Sequence, residues 1–249
     1  MIRESTQLSY ARESFELRDG EAQVWAVSLD PDENRLQGLE AVLSSDERER
    51  AGRFAISLHR NRFVAARGVL RTILARYAGA DPADIRFSYG PHGKPFLSPS
   101  AGRDELHFNV SHAGDRALVA VTGGREIGID IESIDKRPFD AEVVRKFFSP
   151  REGAVLSSAP EAARAGWFVV YWARKEACIK ASGLGLSFPL ASLDVSVDAR
   201  EPRVIVSGGD AAQGVRSWTL VDVETGPGCA AACAVEGVGL NVNRREFRF

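Results

Sequence analysis

An α+β fold made of two similar halves is what this sequence predicts, and three observations lead there. Elements run in the order strand, helices, strands, then helices and strands again, which gives halves of roughly 120 residues each. The 249-residue chain is 44% hydrophobic and 27% charged, the balance of a globular protein with a sizeable core. No stretch rich in Pro, Ser or Gly reads as a linker, so the halves should share a tight interface. The boundaries follow: an N-terminal extension at 1–20, one α+β half at 21–125, the other at 126–240, and a C-terminal tail at 241–249.

The first strand is expected over 22–29, where AQVWAVSL shows apolar alternation. Ser44 and Glu47 have capping-box spacing and open a helical run, DERERAGRF. A longer helix follows over 58–78, with Phe63, Ala66, Leu70, Ile73, Leu74 and Tyr77 at helical spacing and Gly79 as its stop. Strands are expected at 85–89, 106–110, 117–122 and 127–132, divided by turns such as YGPHGKP and TGG. Helical pattern returns through Val143, Val144, Phe147 and Phe148 and restarts at Ser149-Pro150-Arg151-Glu152, a second capping box with proline at the first helical position. A long helix over 162–181 ends at Gly183, and β-like segments at 193–198, 203–207, 216–224 and 229–236 complete the chain.

A net charge of −2 supplies no general pull toward nucleic acid or a membrane surface, so any anion site has to be local. No run approaches the roughly 20 apolar residues of a membrane span, and MIRESTQLSYARE lacks the apolar core of a secretory signal, so a cytoplasmic protein is expected. Cys229 and Cys233 have neither a neighbouring His nor C-x-x-C spacing, and all three cysteines read as reduced, buried thiols.

Within GIDIE, strand alternation puts Asp130 and Glu132 on one face, about 7 Å apart at Cα, with Ile129 and Ile131 facing the core. Alone this is an ordinary acidic strand face. In WARKEACIKASGLG, Trp172, Glu176 and Lys180 share a helix face at i, i+4, i+8. If strand and helix meet, three carboxylates converge, and like charges about 5 Å apart repel by roughly 3 kcal/mol per pair at an effective dielectric of 20. A hard cation relieves this, and oxygen-only ligands suit Mg²⁺. Only five of the 32 basic residues are lysine, and Lys94, Lys175 and Lys180 fall in two of these motifs. Compact ammonium groups there suit phosphate oxygens. Ser111 and His112 add a hydroxyl and an imidazole at a strand end. Glu152 is explained by its capping box, and Arg48, Arg50, Arg53 and Arg62 read first as a solvated helix face with one or two members able to grip phosphate. No phosphate-binding G-x-x-x-x-G-K-[ST] loop exists, GLGL at 183–186 is no dinucleotide fingerprint, and Ser133-x-x-Lys136 lacks its partner motifs.

Together FNVSHAG, IGIDIE, KFFSPRE and WARKEACIKASGLGLSFPL, in this order and spacing, closely resemble the core motifs of Sfp-type 4′-phosphopantetheinyl transferases. The resemblance implies a monomer of two pseudo-twofold halves with coenzyme A in the cleft between them. It implies Asp130, Glu132 and Glu176 as ligands of Mg²⁺, with Mn²⁺ as a substitute. Gly93, Lys94 and Pro95 would line the adenosine end, Ser111 and His112 approach the phosphates, and Lys175 and Lys180 reach the pyrophosphate. Arg50, with Arg53 beside it, lies where the family places a basic residue for the 3′-phosphate. Phe63 departs from the pattern, since relatives often carry a small hydroxyl residue there. The implied reaction is attack of a carrier-protein serine on the β-phosphate with loss of 3′,5′-ADP, Lys180 offsetting charge and Glu176, then Glu152, serving as general base. The partner is an acyl or peptidyl carrier protein, from a peptide or polyketide synthase rather than a fatty-acid synthase, and docking is expected along 134–148, where a half-buried helix would expose Phe147 or Phe148 and a buried one would place both in the core. A fatty-acid carrier as client, or a coenzyme A-binding relative without turnover, are the rival readings.

Overall fold

The computed structural model describes residues 15–98, 105–136, 138–185, 190–195, 203–207 and 215–249. The fold is α+β, as expected. Strand β1 (Glu21–Ser28) leads to helices α1 (Glu33–Ala41), α2 (Ser45–Gly52) and α3 (Ser57–Ala78). A short hairpin, β2 (Phe87–Tyr89) and β3 (Pro95–Leu97), precedes β4 (Leu106–Ala113), β5 (Arg116–Gly123) and β6 (Ile127–Ser133). Helices α4 (Ala141–Phe147), α5 (Pro150–Ser158) and α6 (Glu161–Ser182) follow, then β7 (Arg203–Ser207), β8 (Val215–Asp222), β9 (Cys229–Glu236) and β10 (Asn241–Glu246). Among the described residues no helix is long and apolar enough to cross a membrane.

Two four-stranded sheets form, in the orders β10-β1-β5-β4 and β6-β9-β8-β7. Strand alternation explains how they stack. On the first sheet Trp25, Val27, Val119 and Val121 pack toward α3, while Ala22, Val24, Leu118 and Ala120 turn the other way. That second face meets Ile127, Ile129 and Ile131 of β6 and Ala231, Cys233 and Val235 of β9. The opposite face of the second sheet, with Trp218, Leu220, Ala232 and Ala234, carries Ala177, Cys178 and Ala181 of α6. The order is therefore helix, sheet, sheet, helix, and both long helices stop at a left-handed glycine, Gly79 and Gly183.

Several elements differ from expectation. α1 carries little apolar periodicity, but Asp32 caps it by accepting from Arg35 N at 2.9 Å, and Leu39 is buried against α3. A Cβ on Gly68 would lie 2.6 Å from Leu39 Cβ, so the missing side chain there lets the two helices touch. Residues 241–246, expected as tail, form β10 and pair in parallel with β1, from Glu21↔Asn241 to Ala26↔Glu246. The polar NVNRRE string hides that strand because it is an exposed edge with no apolar face to pattern. Phe15, placed in the loose extension, stacks on Trp25 at 4.4 Å between centroids. Of the segment expected as a strand at 193–198, residues 193–195 follow a 3-10 turn (Leu190–Ser192) and are not strand, and the rest lies outside the described residues.

The helix α6 can lie directly on β6 because of Gly128. A Cβ there would fall 2.1 Å from Ala177 O and 2.3 Å from Ala181 N, both backbone atoms that no rotamer change can move. Gly128 shares its strand face with Asp130 and Glu132, so this approach sets the height of α6 above both carboxylates. Gly128→Ala should cost at least about 3 kcal/mol in urea unfolding, at the upper end for overpacking, because helix or strand must shift as a body.

Candidate active site

The site forms where the edges of the two sheets meet. β6 is an edge strand whose outward N–H groups find side chains instead of a further strand: Ile129 N donates to Asn109 Oδ1 at 3.0 Å and Ile131 N to Ser111 Oγ at 3.4 Å. Asn109 and Ser111 stand two residues apart on β4 and so reach the same side. Ser111 Oγ also donates to Asp130 Oδ1 at 2.8 Å and accepts from Lys180 Nζ at 2.9 Å. One donor proton and two lone pairs are thereby all used. Lys180 Nζ lies 2.6 Å from Asp130 Oδ1, joining α6 to β6 by an ion pair.

Asp130 is 4% exposed, and its second oxygen, Oδ2, is buried without a hydrogen-bond partner. A buried carboxylate oxygen left in this way is costly unless a ligand meets it. Glu132 projects from the same strand face, half-buried, and Glu176 stands one helical turn before Lys180, also half-buried. Among the described residues no three His, Cys, Asp or Glu side chains are already grouped to hold an ion, so the expected carboxylates do not form a closed triad. Asp130 Oδ1 is instead taken by the Lys180 ammonium. The donor set still fits a hard cation: oxygen ligands throughout, with one buried oxygen unpartnered. His112 follows Ser111, and its pKa is held below the usual histidine value, first by desolvation and then by the Lys180 charge, with Asp130 pulling the other way.

Lys175 corrects the expectation of a pyrophosphate ligand. It points away from this group, is 1% exposed, and pairs with Glu152 Oε2 at 2.8 Å while donating to Leu193 O at 2.6 Å and Leu190 O at 2.9 Å. Burial pushes its pKa down and Glu152 pulls it back up. Helical geometry explains the miss, since residue 175 is turned about 100° from 176. Glu152, second choice as general base, is 0% exposed: Oε2 also accepts from Ser149 N at 2.7 Å, and Oε1 accepts from Val195 N at 2.7 Å. With both oxygens engaged it holds the fold and has no access to a reacting group. Glu152→Gln should cost about 3 kcal/mol in urea unfolding by leaving a buried ammonium unpaired, and the double variant with Lys175→Met should recover most of that.

Lys94 lies on the β2–β3 hairpin, in the turn between Gly93, with φ 79°, and Pro95. Its Nζ reaches across to Glu126 Oε2 at 2.6 Å and Ala181 O at 3.0 Å, pinning the hairpin to β6 and the end of α6. Arg50 lies over the Phe63 ring at 5.2 Å, so the aromatic departure supplies a platform for that guanidinium. Arg53 pairs with Glu49 at 2.5 Å and Arg62 with Asp30 at 2.7 Å, while Arg48 donates to Leu43 O. Phe148 is 4% exposed and belongs to the core, and Phe147 is half-buried against Trp172. The three cysteines are free thiols, Cys178 and Cys233 fully enclosed, with burial pushing the Cys178 pKa up to about 12.

Similarity to known proteins agrees with this arrangement. The 4′-phosphopantetheinyl transferase superfamily profile matches residues 126–233, and that of the 4′-phosphopantetheinyl transferase N-terminal region matches 27–123. The chain is 38% identical to the 4′-phosphopantetheinyl transferase HetI of Nostoc sp. PCC 7120 over 90% of this chain and 91% of that one. It belongs to the 4′-phosphopantetheinyl transferase superfamily. To 4′-phosphopantetheinyl transferase Sfp of Bacillus subtilis strain 168 it is 33% identical over 62% of this chain and 66% of that one.

Two residues of this transferase escaped the sequence reading. Asn109 lies within FNVSHAG, and its i, i+2 relation to Ser111 is the signal that marks it. Glu126 had none, because its partner Lys94 is 32 residues away and the contact exists only after folding. His107 Nδ1 lies 3.4 Å from Glu126 Oε1, and the His107 hydrogen bond, followed by Lys94, brings the Glu126 pKa from its ordinary 4.5 to about 2. A depressed carboxylate pKa stabilises the fold above the unfolded value and loses that contribution as pH falls through the folded one. Glu126→Gln should therefore cost about 1 kcal/mol at pH 7 in thermal unfolding, and the difference from wild type should shrink between about pH 4.5 and pH 2.

Proposed function

We propose that the chain is a Mg²⁺-dependent 4′-phosphopantetheinyl transferase that moves the phosphopantetheine arm of coenzyme A onto a carrier-protein serine, releasing 3′,5′-ADP. The observation that carries this reading is the buried, unpartnered Asp130 Oδ2 beside Ser111 and Lys180. Asp130, Glu132 and Glu176 would hold the ion, for which Mn²⁺ can substitute. When bound it supplies charge neutralisation to the diphosphate.

The chain's own residues do the rest. Ser111, its proton committed to Asp130, lines the phosphate site and holds Lys180 there, while His112 donates to a phosphate oxygen, its lowered pKa favouring a neutral ring with one N–H donor at pH 7. Lys180 offsets charge on the departing 3′,5′-ADP. Glu176 takes the proton from the carrier serine, a step typically worth about 10²- to 10⁴-fold. Gly93, Lys94 and Pro95 support the adenosine end, and Arg50 on its Phe63 platform, with Arg53, faces the 3′-phosphate. One chain contributes both sides of the site, Ser111 from β4 and Asp130 and Lys180 from β6 and α6, which supports action as a monomer. The client is a carrier domain of a peptide or polyketide synthase, docking along 134–148 with Phe147 at the margin.

Incubation with coenzyme A, Mg²⁺ and a panel of peptidyl, polyketide and fatty-acid carriers should add about 340 Da to a carrier serine by mass spectrometry, the mass of the transferred group. Asp130→Asn should slow loading at least about 10²-fold. No mass increase on any carrier, or near wild-type loading by the variant, would refute the reading.

A further inference from the structure

We propose that Lys180 is a built-in counter-cation of Asp130 which a divalent ion has to displace, so that metal entry and release of an ammonium toward the diphosphate are one coupled event. The inference rests on the reading of Asp130 as a metal ligand and extends it to a second residue.

The two oxygens of Asp130 are treated differently by the fold. Oδ1 is saturated by Lys180 Nζ at 2.6 Å and the Ser111 hydroxyl at 2.8 Å, whereas Oδ2 is buried and unpartnered. A dication bound through Oδ2 and an ammonium held on Oδ1 would share one small carboxylate, where like charges repel strongly and little solvent screens them.

Lys180 is also the partner free to leave. The Asp130 side chain is 6% exposed at the middle of β6, but that of Lys180 is 29% exposed, in the last turn of α6. Its four-carbon stem lets the ammonium swing without moving backbone. Lys175, by contrast, is 1% exposed and tied to Glu152 and two carbonyls, so it cannot substitute. When the Asp130 pair opens, the released positive charge remains beside Ser111, where the diphosphate oxygens are expected. Lys180 thus couples two roles, holding Asp130 in a defined rotamer beforehand and supplying charge to the phosphates afterwards.

The test is Mn²⁺ binding to the full chain without coenzyme A, followed by electron paramagnetic resonance of free Mn²⁺. Lys180→Met should bind at least about tenfold more tightly than wild type, because the competing charge is gone, while Lys180→Arg should stay within about threefold of wild type. Carrier loading by Lys180→Met should fall even as its metal affinity rises, a combination that simple misfolding cannot produce. A second measurement needs no variant: acetylation of Lys180 by acetic anhydride, read by peptide mass spectrometry, should speed up several-fold on adding Mn²⁺, because an amine released from its carboxylate partner loses its proton more readily. Unchanged or weaker Mn²⁺ binding by Lys180→Met, binding by neither protein, or an unchanged acetylation rate would overturn the coupling. Asp130→Asn distinguishes the two levels, since Mn²⁺ binding that survives it removes the metal assignment itself, whereas binding lost in Asp130→Asn but unchanged in Lys180→Met removes only the competition.

Discussion

The Ser111 hydroxyl is the contact on which the site depends. It closes the edge of β6 by accepting from Ile131 N, steers Asp130 by donating to it, and receives the Lys180 ammonium. Three elements far apart in sequence are thereby held within one hydroxyl's hydrogen-bonding capacity. Because the sheets meet through the side chains of Asn109 and Ser111 instead of a backbone ladder, the seam has polar side chains at its centre. A continuous ladder would have left no such group at the site.

Bringing α6 down to that seam requires the small surface of β6 at Gly128 and the alanines opposite it. Burial of Ile129 and Ile131 against the first sheet then holds β6 from below. The carboxylates at 130 and 132 are consequently presented by a strand fixed on both faces, which is the rigidity that a preorganised charge site needs.

Buried charge serves architecture in two further places by one device. The capping-box glutamate of α2, Glu47, accepts from Ser44 N at 3.1 Å and pairs with Arg71 of α3 at 2.6 Å. The capping-box glutamate of α5, Glu152, does the same with Ser149 and Lys175 of α6. In each case a short helix is bolted to a long one through a carboxylate whose first duty is its own N-terminus. Burial opposes ionisation of Glu47, but Arg67 and Arg71 outweigh it and hold its pKa below the usual range. This explains why Glu152 and Lys175, though they sit within the motifs that mark the family, belong to the scaffold.

The sequence by itself determined what local rules govern. Period-2 alternation in GIDIE assigned Asp130 and Glu132 to one face and the isoleucines to the core, helical spacing assigned Glu176 and Lys180 to one face of α6, and both capping boxes and both glycine stops lie where their patterns put them. Element existence followed wherever an apolar face was being patterned. It failed for α1, β3 and β10, whose stability comes from a capped end or a neighbouring strand instead of periodicity. Only the tertiary structure decided which charges meet. Lys175 and Lys180 are equally basic in sequence, yet one is sealed against Glu152 and the other reaches Asp130, because a 5-residue offset on a helix points them in different directions. Lys94 found Glu126 and Ser111 found Asp130 only once the hairpin and β4 were packed beside β6, since pairings across 32 and 19 residues leave no periodic trace along the chain.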